Sequence, residues 1–188
     1  MREHLASAEE SLAGIRAGNL SAWRALYEQH LPLVYRVGRR MGVPESEIGD
    51  LCQEVFLRVY RGLGTFRGEA QFTTWLYSIV LREVARAGRA RAVRQALLGL
   101  LGRQPPPAGP DPIARAEASW QVEGVLGRMK PKQREVFVLF DLEELTLPEI
   151  AATLGCPLET VRSRLRIARA QFARLRQQAL RPGAEGPR

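Results

Sequence analysis

Apolar positions recur at spacings of three and four along most of the chain, which is the period of an amphipathic helix. Trp23, Leu26, Tyr27, Val34, Val37 and Met41 mark a first helix, with a bend expected near Pro32. Ile48, Leu51, Cys52, Val55, Phe56 and Val59 form a second continuous stripe. Phe72, Trp75, Leu76, Ile79, Val80 and Val84 form a third. Three such stripes can be buried against one another as a small bundle, so core packing is the plain role of most of these aromatics. Trp120, Val125 and Leu126, then Val136, Phe137, Leu139 and Phe140, predict further helices. No segment carries a convincing strand pattern, and the chain is predicted to be all-α.

Two breaks organise the pattern. Residues 97–112 read LLGLLGRQPPPAGPDP, and prolines at this density cannot continue a helix and favour extended, semi-rigid chain. The expectation is two small helical domains joined by a Pro-rich linker: residues 1–94, a linker over 95–116, residues 117–182, and a short tail over 183–188. Leu97, Leu98, Leu100 and Leu101 are unusually apolar for a free linker, and whether they dock on a partner stays open.

The second break is local. Thr146-Leu147-Pro148-Glu149 has the Thr-x-x-Glu spacing of a capping box, with Leu147, Ile150, Ala151 and Leu154 on the face of the helix it starts. Gly155-Cys156-Pro157 ends that helix, because Gly155 can turn left-handed and Pro157 suits the first turn of the next. Leu158, Val161, Leu165, Ala168, Phe172 and Leu175 then share one face of a longer helix. Two helices joined by so tight a turn are a helix-turn-helix. With its apolar face inward, the second helix turns Arg162, Ser163, Arg166 and Arg169 outward, flanked by Arg164 and Glu159 and preceded by Thr160. An arginine row at the start of a recognition helix suits the major groove, where guanidinium groups meet phosphates and pair bidentately with guanine.

Charge supports a polyanionic partner. The 188 residues carry 28 Lys and Arg against 20 Asp and Glu, a net charge of +8, and the only lysines are Lys130 and Lys132. The excess is concentrated in residues 67–94 and 158–182, each preceded by an acidic segment, whereas a uniformly solvated surface would mix the signs. In the first basic segment Arg82, Arg86, Arg89, Arg91 and Arg94 lie near Thr73, Thr74, Trp75 and Tyr77. Cationic, hydroxyl and aromatic groups together suit single-stranded DNA, with bases stacking on rings while arginines follow the backbone. Phe66 and Tyr77 are the better candidates for base contact, and Trp75 is expected in the core.

Other chemistry has little to stand on. Cys52 and Cys156 are the only thiols, and His4 and His30 are isolated, so neither a metal site nor a cofactor is expected. Glu143 and Glu144 are adjacent carboxylates, but helix neighbours point apart and no nucleophile or phosphate loop accompanies them. No catalytic site is expected. The longest uncharged stretch, residues 70–81, is far short of a membrane span, and Met1-Arg2-Glu3-His4 lacks a secretory layout. Membrane insertion is therefore not expected, and the cytoplasm is the simplest compartment.

The stretch EELTLPEIAATLGCPLETVRSRLRIARA, with MKPKQREVFVL upstream, resembles the promoter-binding domain of bacterial sigma factors, especially the small extracytoplasmic-function (ECF) group. Independently, Asp50-Leu51-Cys52-Gln53-Glu54-Val55-Phe56-Leu57 resembles that family's core-polymerase-binding helix. Phe66-Arg67-Gly68-Glu69 followed by Thr74-Trp75-Leu76-Tyr77 resembles its segment for recognising and melting the upstream promoter element. The resemblance implies core-polymerase contacts at Asp50, Leu51, Gln53, Glu54 and Phe56. It implies minus-ten contacts at Phe66, Arg67, Thr74, Tyr77, Arg82, Arg86 and Arg89. Minus-thirty-five contacts are implied at Glu159, Thr160, Arg162, Ser163, Arg164, Arg166 and Arg169. It also implies three kinds of partner: core RNA polymerase, promoter DNA in duplex and melted form, and an anti-sigma factor. The chain departs from the family pattern at Arg82, where asparagine is common, at Ile167, where arginine is common, and at Glu159, where a small residue is common. A stand-alone dimeric helix-turn-helix regulator is the alternative at this point.

Overall fold

The computed structural model describes residues 14–15, 18–66, 71–100 and 117–179. Among them the secondary structure is helical, with no strand. Helix α1 (Leu20–Arg40) starts at Asn19, whose side chain accepts from the backbone N–H groups of Ser21 and Ala22 at 3.0 and 3.2 Å. Pro32 lies inside this single helix, at an exposed position. The helix ends at Met41, and Gly42, at φ 84°, supplies the left-handed turn into α2 (Glu45–Gly62). Gly38 lets α1 and α2 touch: a Cβ there would stand 2.5 Å from Ile48 Cδ1 and 2.6 Å from Leu51 Cδ2.

A 3₁₀ turn (Leu63–Thr65) follows, then α3 (Phe72–Leu100). Helix α3 runs on through Gln95–Leu100, so the predicted start of the linker at residue 95 is corrected: no proline interrupts the helix there. Residues 101–116, and with them Leu101 and the prolines of the predicted linker, lie outside the described residues, as does the tail. Val34, Val37, Val55, Val59, Leu76 and Val80 are fully buried where α1, α2 and α3 meet.

The second module comprises α4 (Glu117–Gly127), α5 (Pro131–Phe137), α6 (Leu147–Leu154) and α7 (Leu158–Ala179). Helix α5 continues into a π-helical turn, Val138–Leu142. Val136, Val138, Leu139, Ile150, Val161 and Ala168 are fully buried among them. Phe137 and Phe172 stack at 4.4 Å between centroids. The predicted punctuation is present. Thr146 and Glu149 complete a reciprocal capping box, and Gly155 adopts φ 60°, ψ 40° between α6 and α7.

The two modules are not separate bodies on a tether. Helix α6 packs on α3 and α4 on α1, so the apolar cores form one continuous cluster.

Candidate polymerase and promoter interfaces

On α7 the inward face is Val161, Leu165, Ala168 and Leu175, and Arg162, Ser163 and Arg166 are exposed, as the periodicity requires. Glu159 is exposed and ion-paired to Arg162, next to the start of the helix, where its charge also complements the dipole. Thr160 and Arg164 are half-buried, and Arg164 Nη1 approaches Cys156 Sγ at 3.8 Å. Arg169 turns back onto its own module. Its guanidinium pairs with Asp141 at 2.6 Å and lies 5.0 Å over the Phe140 ring, and the Asp141 hydrogen bond raises its pKa. The exposed polar row on this helix is therefore Arg162, Ser163, Arg166 and Arg169, with Arg162 paired to Glu159 and Arg169 to Asp141.

On α2 the apolar stripe faces α1 and α3 and leaves Asp50, Gln53 and Glu54 exposed. Leu51 and Phe56, expected as polymerase contacts, are 4% and 3% exposed. That expectation is corrected: they are core residues on the opposite face, with Phe56 packed against Tyr27 at 4.5 Å. Leu57 and Tyr60 share the exposed face instead, at 38% and 61%. Helical spacing from Gln53 and Glu54 could have found them, because i+3, i+4 and i+7 positions lie together.

The first basic segment divides more sharply. Phe66 is half-buried in an aromatic cluster with Phe72 and Trp75, at 5.9 and 5.1 Å. Arg67 lies outside the described residues. Thr74 and Tyr77 are 6% and 5% exposed, which corrects their assignment as DNA contacts in this conformation. Both point from α3 into packed structure. Arg82, Arg86 and Arg89 are exposed and, with Arg58, Trp75 and Glu83, line a groove of about 520 Å³ between α2 and α3. Arg82 is fixed to Ser78 O and Oγ, both at 2.9 Å. Arg86 bridges Glu83 at 2.6 Å and Glu54 at 2.9 Å. Glu83 is buried and also binds Arg58, so a carboxylate under the groove keeps its cations in place.

Glu143 was not expected to matter, yet it is the most heavily engaged carboxylate described. Its side chain is 2% exposed. Arg36 donates to it through Nε and Nη2 at 2.9 and 2.6 Å, Tyr77 donates at 2.8 Å, and Arg40 Nη1 completes the set while also donating to Leu142 O at 3.1 Å. Burial pushes the Glu143 carboxyl upward. The Arg36 and Tyr77 hydrogen bonds and the charges of Arg36 and Arg40 outweigh it and hold the pKa below the ordinary value. Burial, then the bond to Glu143, raises the Tyr77 hydroxyl well above its usual range, so it stays a donor. The signal available in sequence was only complementary charge, since Arg36 and Glu143 lie 107 residues apart. Among the described residues no group of three or more His, Cys, Asp or Glu could hold a metal. No helix among them is long and apolar enough to cross a membrane.

Residues 26–94 match the model of Sigma-70 region 2, and residues 119–172 match that of Sigma-70, region 4. The chain belongs to the sigma-70 family of transcription initiation factors. It is 32% identical to the ECF RNA polymerase sigma factor SigM of Mycobacterium tuberculosis, over 92% of this chain and 86% of the relative. The structure of CnrH in complex with the cytosolic domain of CnrY superposes with a TM-score of 0.66 at 25% identity, covering 89% of this chain and 96% of that one. The sigma factor RpoE of Bartonella quintana, in complex with the anti-sigma factor NepR, superposes at 0.63 with 20% identity, over 82% of this chain and 98% of that one. Within the family the chain is an ECF sigma factor: it binds core RNA polymerase and directs initiation at particular promoters. The family acts as initiation factors, and the stand-alone dimeric regulator is not favoured.

Proposed function

We propose that the work divides by residue as follows. Asp50, Gln53 and Glu54, with the apolar Leu57 and Tyr60 beside them, dock on a basic surface of core polymerase. Arg82, Arg86 and Arg89, with Phe66 and Arg67, track the melted minus-ten strand. Arg162, Ser163 and Arg166 enter the major groove of the minus-thirty-five element, Glu159, Thr160 and Arg164 flank them, and Arg169 joins by leaving Asp141 for a phosphate. The stretch after Leu100 spans the distance between the two elements. An anti-sigma factor is the expected regulator, working on a chain that acts in the cytoplasm without a catalytic site or cofactor of its own.

The observation that carries this reading is the exposed row Arg162, Ser163 and Arg166 on a helix whose opposite face is fully engaged in the core. Arg162→Ala and Arg166→Ala should each weaken binding to the cognate minus-thirty-five duplex by about 1–3 kcal/mol where the contact is to a base. The same loss on random duplex would restrict these arginines to phosphate contacts.

A further inference from the structure

Glu83 is a carboxylate buried in the first module, 4% exposed, on the groove between α2 and α3. An ionised carboxylate leaves water only for partners of opposite charge, and Glu83 has two. Arg58 of α2 meets its Oε1 through Nε at 2.7 Å, and Arg86 of α3 donates to its Oε2 through Nε at 2.6 Å. Nε is the guanidinium nitrogen nearest the stem, so the Nη ends of both forks lie beyond the carboxylate. About half of each arginine side chain stays exposed, 53% for Arg58 and 51% for Arg86. Tying one side chain from each helix to a single anion brings together two cations that would otherwise repel. One carboxylate beneath two guanidinium groups leaves a surplus of positive charge at the groove wall.

The rest of the groove suits a nucleotide chain. Trp75 and Ile79 give it an apolar lining, and Trp75 lies so close to α2 that a Cβ on Gly62 would stand 3.0 Å from its Cζ2. Arg82 and Arg89 extend the cationic wall along α3, where the row from Arg82 to Arg89 covers about 10 Å. A guanidinium held at Nε keeps its Nη edge for the oxygens of a phosphate. On Arg86 that edge already has a competitor, because Nη2 donates to Glu54 at 2.9 Å. The members of that pair are 51% and 50% exposed, and exposed pairs bind weakly, so a phosphate can displace Glu54. Glu83 is buried beneath both arginines and stays. The two carboxylates that touch Arg86 therefore act in opposite senses, one as anchor and one as rival.

We infer that Arg58 and Arg86 form a two-arginine clamp for a backbone phosphate of the melted strand, with Glu83 as the positioning residue that sets the pair and Glu54 as the anion the phosphate displaces. The inference deepens the minus-ten reading and rests on it for the identity of the strand. A labelled oligodeoxythymidylate tests it, titrated with the full chain, alone and assembled on core polymerase, across a series of salt concentrations. Fluorescence anisotropy reads binding, and far-UV circular dichroism verifies the helicity of every variant. Arg58→Ala should weaken binding by about 3–10-fold at low salt and flatten the log–log salt dependence by about 0.7, the loss of one phosphate contact. Glu83→Gln removes a negative charge from the groove, which by attraction alone would tighten binding; losing the anchor should weaken it instead. Glu54→Gln, in the chain alone, should tighten binding by about twofold. If Glu83→Gln fails to fold, Arg58→Ala, altered at a half-exposed side chain, still decides. Unchanged affinity and slope in Arg58→Ala overturns the clamp. So does a shift of Glu83→Gln and Glu54→Gln in the same direction, or a wild type that binds no strand in either form. If the clamp signature is present while the chain starts no transcript with core polymerase, the clamp stands and the sigma-factor reading falls. Discrete starts together with an indifferent Arg58→Ala keep that reading and remove the clamp.

Discussion

The two DNA-reading surfaces are built on opposite plans. On α7 the proposed contact row and the side chains holding the fold lie on different faces, and its ion pairs, Arg162 with Glu159 and Arg169 with Asp141, are made at the surface of its own module. On α3 the exposed arginines sit over a buried carboxylate, Glu83, which pairs with Arg86 and with Arg58 of α2. Thr74 and Tyr77 are buried, Arg86 is tied to Glu83 and Glu54, and Tyr77 belongs to the seam between modules. A duplex offers a fixed groove that a rigid helix can match. A melted strand must first be made, and what sets α3 apart is that its cations are anchored on a buried carboxylate rather than on surface ones.

The largest test of this contrast falls on α2, where one helix carries both plans. Phe56→Ala should destabilise the first module by about 3–5 kcal/mol, read in chemical denaturation, because it empties a fully packed site. A stable Phe56→Ala protein that merely loses polymerase would restore Phe56 as a contact. On the second module Thr146→Ala removes one half of the capping box and should cost about 1 kcal/mol in thermal unfolding. Its effect on duplex affinity should be no larger, since α7 is held by its own core. Smallest in stability is the Asp50→Ala/Glu54→Ala pair, expected within about 0.5 kcal/mol of wild type. Co-purification with core polymerase should nevertheless fall sharply, while duplex binding by the full chain stays unchanged. Retained co-purification would remove the acidic edge from the interface.

The Glu143 contact between the modules has a pH signature of definite sign. Glu143 has a depressed pKa in the folded chain. Its contribution is present above the ordinary value of about 4.3 and is lost as pH falls through the lowered value. Arg36 and Tyr77, which face it and whose pKa values are raised, keep their protons throughout the neutral range. Thermal stability should therefore be flat from about pH 6 to 8 and fall only in acid. A loss near neutral pH would point to a different group.

Legibility in the sequence followed the same contrast. Helices α1 to α3, the capping box, the Gly155 turn and the outward arginine row all come from local spacing, which a single segment displays. Pro32 does not end α1, which runs through it as one helix from Leu20 to Arg40. The linker began later than composition suggested because Gln95–Leu100 contains nothing that stops a helix. Leu51 and Phe56 lie inside a motif that resembles a polymerase contact, while their own apolar stripe places them in the core. Tyr77 and Glu143 were beyond reach. Their roles come from a contact between segments 66 residues apart, and nothing in either segment alone specifies it.

Reconstituted transcription with purified core polymerase on genomic fragments tests the central claim most directly. Added chain should produce discrete new start sites that share an upstream pair of elements, and Arg162→Ala/Arg166→Ala should abolish most of them. Strong duplex shifts by the chain alone, with no new start on any fragment, would contradict the account.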